Sequence, residues 1–213
     1  MKKIYLIIVF LVTVSFRLHA QGVIDFDSGY MVRTGDFSSQ VNTYYEKGFQ
    51  FYVVVPTPGI GGIKYDWLQV GGAGQIATGL PYNPTAGLTF QRFYSPDSYV
   101  AFCQTSGEAF GLSSVQLGTT WGITMNMGDL PVTFEGIKAG GVTVYQTFTV
   151  LGSDWQNWQT FYFDSDFSSG LLSVNILTKL LLMDNLQFIP EPSTTILVSF
   201  GLLAGWRMLR RRT

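Results

Sequence analysis

Between residues 21 and 189, short segments of alternating apolar and polar residues are cut off repeatedly by Gly, Pro, Asn, Asp or Ser. A period of two sends successive side chains to opposite faces of an extended strand, and such segments are too short for a helix of several turns. Phe49-Gln50-Phe51-Tyr52-Val53-Val54-Val55 is one of them, stopped by Pro56-Thr57-Pro58-Gly59. Residues 87–93 form another, ended by Ser95-Pro96-Asp97. Residues 132–138 and 142–150 flank Ala139-Gly140-Gly141, which reads as a hairpin. Residues 171–177 and 181–189 close the series, while 56–86 reads as long Gly- and Pro-rich loops around one strand near 64–70. The pattern predicts an all-β domain over residues 21–189, a two-sheet antiparallel β-sandwich of the jelly-roll type.

The two ends are of a different character. Lys2-Lys3, an apolar run over 4–16 and Leu18-His19-Ala20 have the layout of a signal peptide, residues 1–20. An uncleaved anchor is the alternative. At the other end, Pro190-Glu191-Pro192 is a stiff segment that resists helix formation. Residues 196–206 carry no charge, and Arg207, Arg210, Arg211 and Arg212 then stop the apolar run, as a cytoplasmic end requires. The span 194–206 reaches roughly 20 Å as a helix, short of the ~30 Å bilayer core. Arg207 can snorkel and Met208-Leu209 add length, so a single transmembrane helix is expected, with a buried or interfacial helix as the alternative.

A Pro-Glu-Pro tripeptide, a greasy helix and a basic stop, in that order, closely resemble the tail of PEP-CTERM proteins. The resemblance covers residues 190–213. It implies processing by exosortase, a membrane-embedded cysteine transpeptidase that cuts near the tripeptide. It also implies an inner-membrane-anchored precursor whose ectodomain passes to the cell surface or extracellular matrix. Within the core, Val23-Ile24-Asp25-Phe26-Asp27 resembles the opening strand of PEP-CTERM ectodomains and carbohydrate-binding-module-like jelly rolls. The segments Tyr45-Glu46-Lys47-Gly48-Phe49-Gln50-Phe51, 110–117, Trp158-Gln159-Thr160-Phe161 and 183–188 are similar to their later strands. In such jelly rolls, aspartates on the first and last strands often flank a structural calcium, which this resemblance places at Asp25, Asp27 and Asp184. Without it, Asp25 and Asp27 read as solvent-facing and Asp184-Asn185 as turn chemistry.

Composition removes several classes of function. Residues 21–189 hold six basic and thirteen acidic side chains, a net −7, which does not suit nucleic acid. His19 is the only histidine and lies in the signal peptide, so the mature chain has no Ser-His-Asp triad, Cys-His pair or histidine-ligated metal. Cys103 is the only cysteine; no disulfide can form within the chain, and a buried, inert thiol is expected.

Two kinds of chemistry remain. Exposed aromatic rings stack on sugars, and Trp67 and Trp155 are the candidate glycan contacts; Trp155 and Trp158, three apart, take opposite faces of a strand, and Trp158 resembles the core aromatic of the jelly-roll family. A carboxylate pair for glycoside hydrolysis would come from Glu46, Glu108, Glu135 or the aspartates, whose ordinary role is a solvated strand face. Gly71-Gly72-Ala73-Gly74 lacks the lysine and helix of a phosphate loop. The expectation is an exported, exosortase-sorted surface or matrix protein, non-catalytic, beside exopolysaccharide or envelope. A lectin-like glycan-binding adhesion module is the alternative, and a carboxylate-dependent glycosidase or polysaccharide lyase a distant one.

Overall fold

The structure, a computed structural model, describes residues 22–27, 30–34, 41–54, 67–71, 87–91, 98–119, 128–154, 157–178 and 181–191. The expected signal peptide and membrane helix lie outside these residues. Among the described residues no helix is long and apolar enough to cross a membrane.

Thirteen strands are present among the described residues: β1 (Gly22–Ile24), β2 (Tyr30–Thr34), β3 (Val41–Glu46), β4 (Phe49–Val54), β5 (Trp67–Gly71), β6 (Gly87–Gln91), β7 (Tyr99–Gln104), β8 (Phe110–Thr119), β9 (Leu130–Lys138), β10 (Thr143–Val150), β11 (Gln159–Tyr162), β12 (Leu171–Ile176) and β13 (Leu181–Pro190). One antiparallel ladder runs β2-β3-β4-β7-β12-β9-β10. The other runs β11-β8-β13, with β1 and β6 in succession on the far edge of β13 and β5 beyond β6. The single pair Leu171↔Phe110 joins the two. The predicted all-β, antiparallel architecture is therefore what the described residues adopt.

Alternation decides which face each strand buries. Phe49, Phe51 and Val53 of β4 point inward and are buried, while Gln50, Tyr52 and Val54 point outward. Rings from both ladders then interlock: Phe49 meets Phe188 at 4.7 Å and Phe110 at 5.0 Å, and Phe26 meets Phe51 at 5.4 Å. At the other end Phe148 stacks on Phe161 at 5.0 Å, and Phe134 meets Phe163 at 5.1 Å. Each buried ring contributes about 1.5–3 kcal/mol, with a further ~1 kcal/mol from ring-on-ring geometry.

Two hairpins fix register. Gly140 (φ 84) and Gly141 (φ 81) turn β9 into β10, as the sequence predicts. The other is unexpected: Lys47 (φ 48) and Gly48 (φ 81) form a two-residue turn pairing Glu46 with Phe49, which splits a segment that resembles one strand into β3 and β4.

At the open side of the sandwich, β10 and β11 face each other without a ladder between them. Two glutamines supply the missing rungs. Gln146 donates to the Tyr162 carbonyl (3.2 Å) and accepts from the Asp164 N–H (3.0 Å). Gln159 accepts from the Leu151 N–H (2.9 Å) and donates to its carbonyl (3.0 Å).

Candidate functional site

Of the acids singled out in sequence, Asp25, Asp27 and Glu46 meet beside the junction of the first and last strands. β1 pairs with β13 up to Ile24↔Leu186, after which Phe26 turns into the left-handed region (φ 57). That geometry is unusual for an aromatic residue, and Glu46 holds it. The Glu46 side chain is 1% exposed. Its Oε2 accepts from the Phe26 N–H (2.9 Å) and the Tyr44 hydroxyl (2.8 Å), and its Oε1 from the Asp25 N–H (3.4 Å). Lys47 supplies the counter-charge, with Nζ 3.2 Å from Glu46 Oε1 and 3.0 Å from Asp25 Oδ2, and it also donates to the Val23 carbonyl (2.5 Å). Hydrogen bonding with Glu46 and the Lys47 ammonium hold the Asp25 carboxyl down at about 2, against the opposing effect of partial burial. Burial lowers the Lys47 ammonium, but bonds to Asp25 and Glu46 outweigh it and raise the group above its ordinary value.

Of the three expected calcium ligands, Asp25 is half-buried in this junction and Asp27 is exposed, its N–H donating to Asp25 Oδ1 (3.3 Å). Asp184 is fully buried within β13, where it accepts from the Asn185 N–H (2.7 Å) at a ladder irregularity with Asn185 at φ 47. The solvent-facing alternative therefore fits Asp27 alone. Oxygen donors of this kind suit calcium. Yet both oxygens of Asp25 and both of Glu46 already accept from an N–H, a hydroxyl or Lys47, and calcium would have to displace the ammonium. Among the described residues no three His, Cys, Asp or Glu side chains are grouped to hold a metal.

A second site lies on the outer face of the seven-stranded ladder, and register alone assembles it. Tyr145 of β10 pairs with Glu135 of β9, Glu135 with Asn175 of β12, Asn175 with Ala101 of β7, and Ala101 with Tyr52 of β4. The Glu135 carboxylate accepts from the Tyr145 hydroxyl (2.6 Å) and from Asn175 Nδ2 (2.7 Å). The bond to Glu135 raises the phenol of Tyr145, a residue 61% exposed; burial raises that of Tyr52. In the next row Gln50 Nε2 lies 3.1 Å from Cys103 Sγ, and Cys103 is half-buried rather than buried. A carboxylate has about four lone-pair positions, so Glu135 retains two for a ligand hydroxyl beside the Tyr145 ring.

The remaining candidates are dispersed. Trp67 opens β5 opposite Gln91, on the side of the other ladder, and Trp155 lies outside the described residues. Trp158 precedes β11, half-buried, with its Nε1 buried and unbonded. Glu46 faces the interior, Glu135 the outer surface and Glu108 an exposed turn after β7, so these three share no cleft. Sequence reading missed Tyr52, Tyr145 and Asn175, which nothing local marks beyond the hairpin that sets Tyr145 opposite Glu135; only their common row unites them.

Residues 188–212 match the family model of the PEP-CTERM protein-sorting motif, and the chain carries that motif. No curated protein matches the chain. Among solved structures, the CBM22-1 xylan-binding domain of Paenibacillus barcinonensis Xyn10C is similar at 16% identity and a TM-score of 0.38, over 77% of this chain and 96% of that one. An exo-beta-agarase is similar at 10% identity and a TM-score of 0.39, over 76% of this chain; this chain spans only 25% of the agarase chain.

Proposed function

We propose that the chain is an exported protein of the cell surface or extracellular matrix, made as a membrane-anchored precursor and processed by exosortase. The PEP-CTERM motif over residues 188–212 carries this reading. The signal peptide over 1–20 and the membrane helix over 194–206 belong to it, because the motif needs an exported domain on one side and an anchor on the other. The ectodomain is then a non-catalytic jelly-roll module beside exopolysaccharide or envelope. Glycoside hydrolysis uses two carboxyl groups about 5–9 Å apart, and the dispersal of Glu46, Glu108 and Glu135 supports the non-catalytic reading. Replacing Glu191 with Ala leaves the unprocessed precursor in the inner membrane, read by fractionation and immunoblot; normal release of that variant rejects the sorting route.

The Tyr145–Glu135–Asn175 row favours a second reading, a glycan-binding adhesion module. Its ligand class is neutral polysaccharide, since the domain's net −7 disfavours polyanions. Trp67, at the edge of the other ladder, would make a separate contact, and Trp155 stays a candidate on its residue type alone. Affinity electrophoresis in gels of neutral polysaccharides tests it: Tyr145→Ala and Glu135→Gln each weaken retention about tenfold, the loss of one stacking or charged contact. A parent protein that no such gel retards removes this reading.

A further inference from the structure

We infer that the folded domain itself holds the glutamate of the sorting signal, so that processing waits on release of Glu191 from the turn at Gly170. The inference rests on the sorting reading above and concerns how the signal is presented.

The motif has no spacer before it. β13 continues through Ile189↔Gly111 to Pro190↔Phe110, so the first proline of the tripeptide is the last rung of the β8–β13 ladder. Proline has no N–H, which ends the ladder there. Glu191 follows at once, and its Oε1 accepts a short hydrogen bond from the Gly170 N–H. That donor is built in. Ser165–Phe167 is a one-turn 3-10 helix with Phe167 buried beneath it, and Gly170 leaves it at φ 76 to enter β12. The Gly170 carbonyl accepts from the Ala139 N–H (3.2 Å), so the turn is fixed from its other side. Gly111 makes the approach possible: a Cβ there would lie 2.0 Å from the Ser168 carbonyl oxygen. Without that side chain, the 168–170 turn lies over the end of the β8–β13 pair, with the Gly170 N–H beside residue 191.

From residue 191 to the apolar run at residue 196 is five residues, at most about 18 Å of extended chain. With Glu191 docked, a membrane-embedded enzyme meets a folded domain pressed against its entrance and a recognition carboxylate already engaged. A charge-assisted bond to a backbone N–H is worth a factor of about 10–100 in the docked-to-undocked ratio. Processing therefore samples a minor, undocked population.

The test uses the full chain. In cells carrying the processing enzyme, pulse-chase follows the parent and a variant with Gly-Ser-Gly-Ser inserted between Ile189 and Pro190, which moves the signal off the domain and leaves its distance to the apolar run unchanged. The insertion shortens the processing half-time several-fold; an equal or longer half-time overturns the inference. Independently, hydrogen exchange on the purified full chain in detergent reads the Gly170 amide directly. Glu191→Ala raises its exchange about tenfold or more, and an unchanged rate overturns the docking whatever the pulse-chase gives. If Glu191→Ala placed within the insertion variant is still processed normally, the sorting reading fails and the gating fails with it, even where Gly170 exchange shows the dock itself.

Discussion

Replacing Glu46 with alanine is the sharpest probe of what holds the two ladders together. The carboxylate is buried to 1% exposure and accepts from Phe26 N–H, Tyr44 hydroxyl and Asp25 N–H while pairing with Lys47. Two of those donors are themselves buried, and each loses its acceptor at a cost of about 1–3 kcal/mol. Lys47, 38% exposed and still paired with Asp25, adds little to this, so the loss from the two buried donors is about 4 kcal/mol. Phe26 adds leverage, because its ring packs on Tyr44 at 5.5 Å and Phe51 at 5.4 Å, and its φ of 57 is held by the bond that Glu46 accepts. For a domain of this length 1 kcal/mol moves Tm by about 2–4 °C, so near-UV circular dichroism melts drop on the order of 10 °C in Glu46→Ala. Glu46→Gln keeps one acceptor oxygen and loses roughly half as much. A Glu46→Ala melt within 2 °C of the parent refutes this account, and Phe26 then holds its conformation by packing alone.

Acid should expose the same junction. Asp25 titrates at about 2 when folded against an ordinary 3.8, so its stabilisation is complete above pH 4 and lost as pH falls towards 2. Denaturant midpoints for Asp25→Asn therefore fall less steeply than the parent's between pH 4 and 2, and parallel curves reject the assignment. Lys47 carries the opposite sign: its contribution persists below 10.5 and fades as pH rises beyond it. A calcium ion at Asp25, Asp27 and Asp184, as the resemblance proposes, would have to displace the Lys47 ammonium, so on that proposal Lys47→Met shows a rise of several degrees in Tm with millimolar calcium over chelator, larger than the parent's. Asp184→Ala abolishes the rise, and the site is rejected if calcium moves neither protein. Gly111→Ala forces a Cβ to within 2.0 Å of the Ser168 carbonyl and loses about 3 kcal/mol or more in urea titrations; a change under 1 shows that the 168–170 turn yields freely.

How far the chain could be read depended on how local each signal was. The Ala139-Gly140-Gly141 hairpin was plain because glycine supplies the positive φ that the turn demands. Lys47-Gly48 makes the same kind of turn, but lysine at φ 48 is not a residue that announces one, so alternation starts β4 at Phe49 while the resemblance runs one segment through the turn. Asp184-Asn185 looks like turn chemistry for the opposite reason. Both residue types are common in turns, and here a ladder irregularity absorbs the positive φ while the carboxylate is carried into the interior. The outer-face row was legible only in part: the hairpin sets Tyr145 opposite Glu135, but Asn175 joins through the neighbouring order β12-β9, and Tyr52 through two further strands. Sequence alternation says which side of a strand a residue takes, never which strand lies beside it.

The two glutamine rungs between β10 and β11 matter most where many copies crowd together. An uncapped strand edge is a template on which any extended segment can add itself. Here the Leu151 N–H and carbonyl, the Tyr162 carbonyl and the Asp164 N–H are spent on Gln146 and Gln159 inside the molecule. Along this margin, side-chain amides take the bonds that an incoming strand would use to zip on. Crowded copies are thereby denied this one margin for edge-to-edge strand addition, whereas β2 and β5 remain the outer strands of the two ladders.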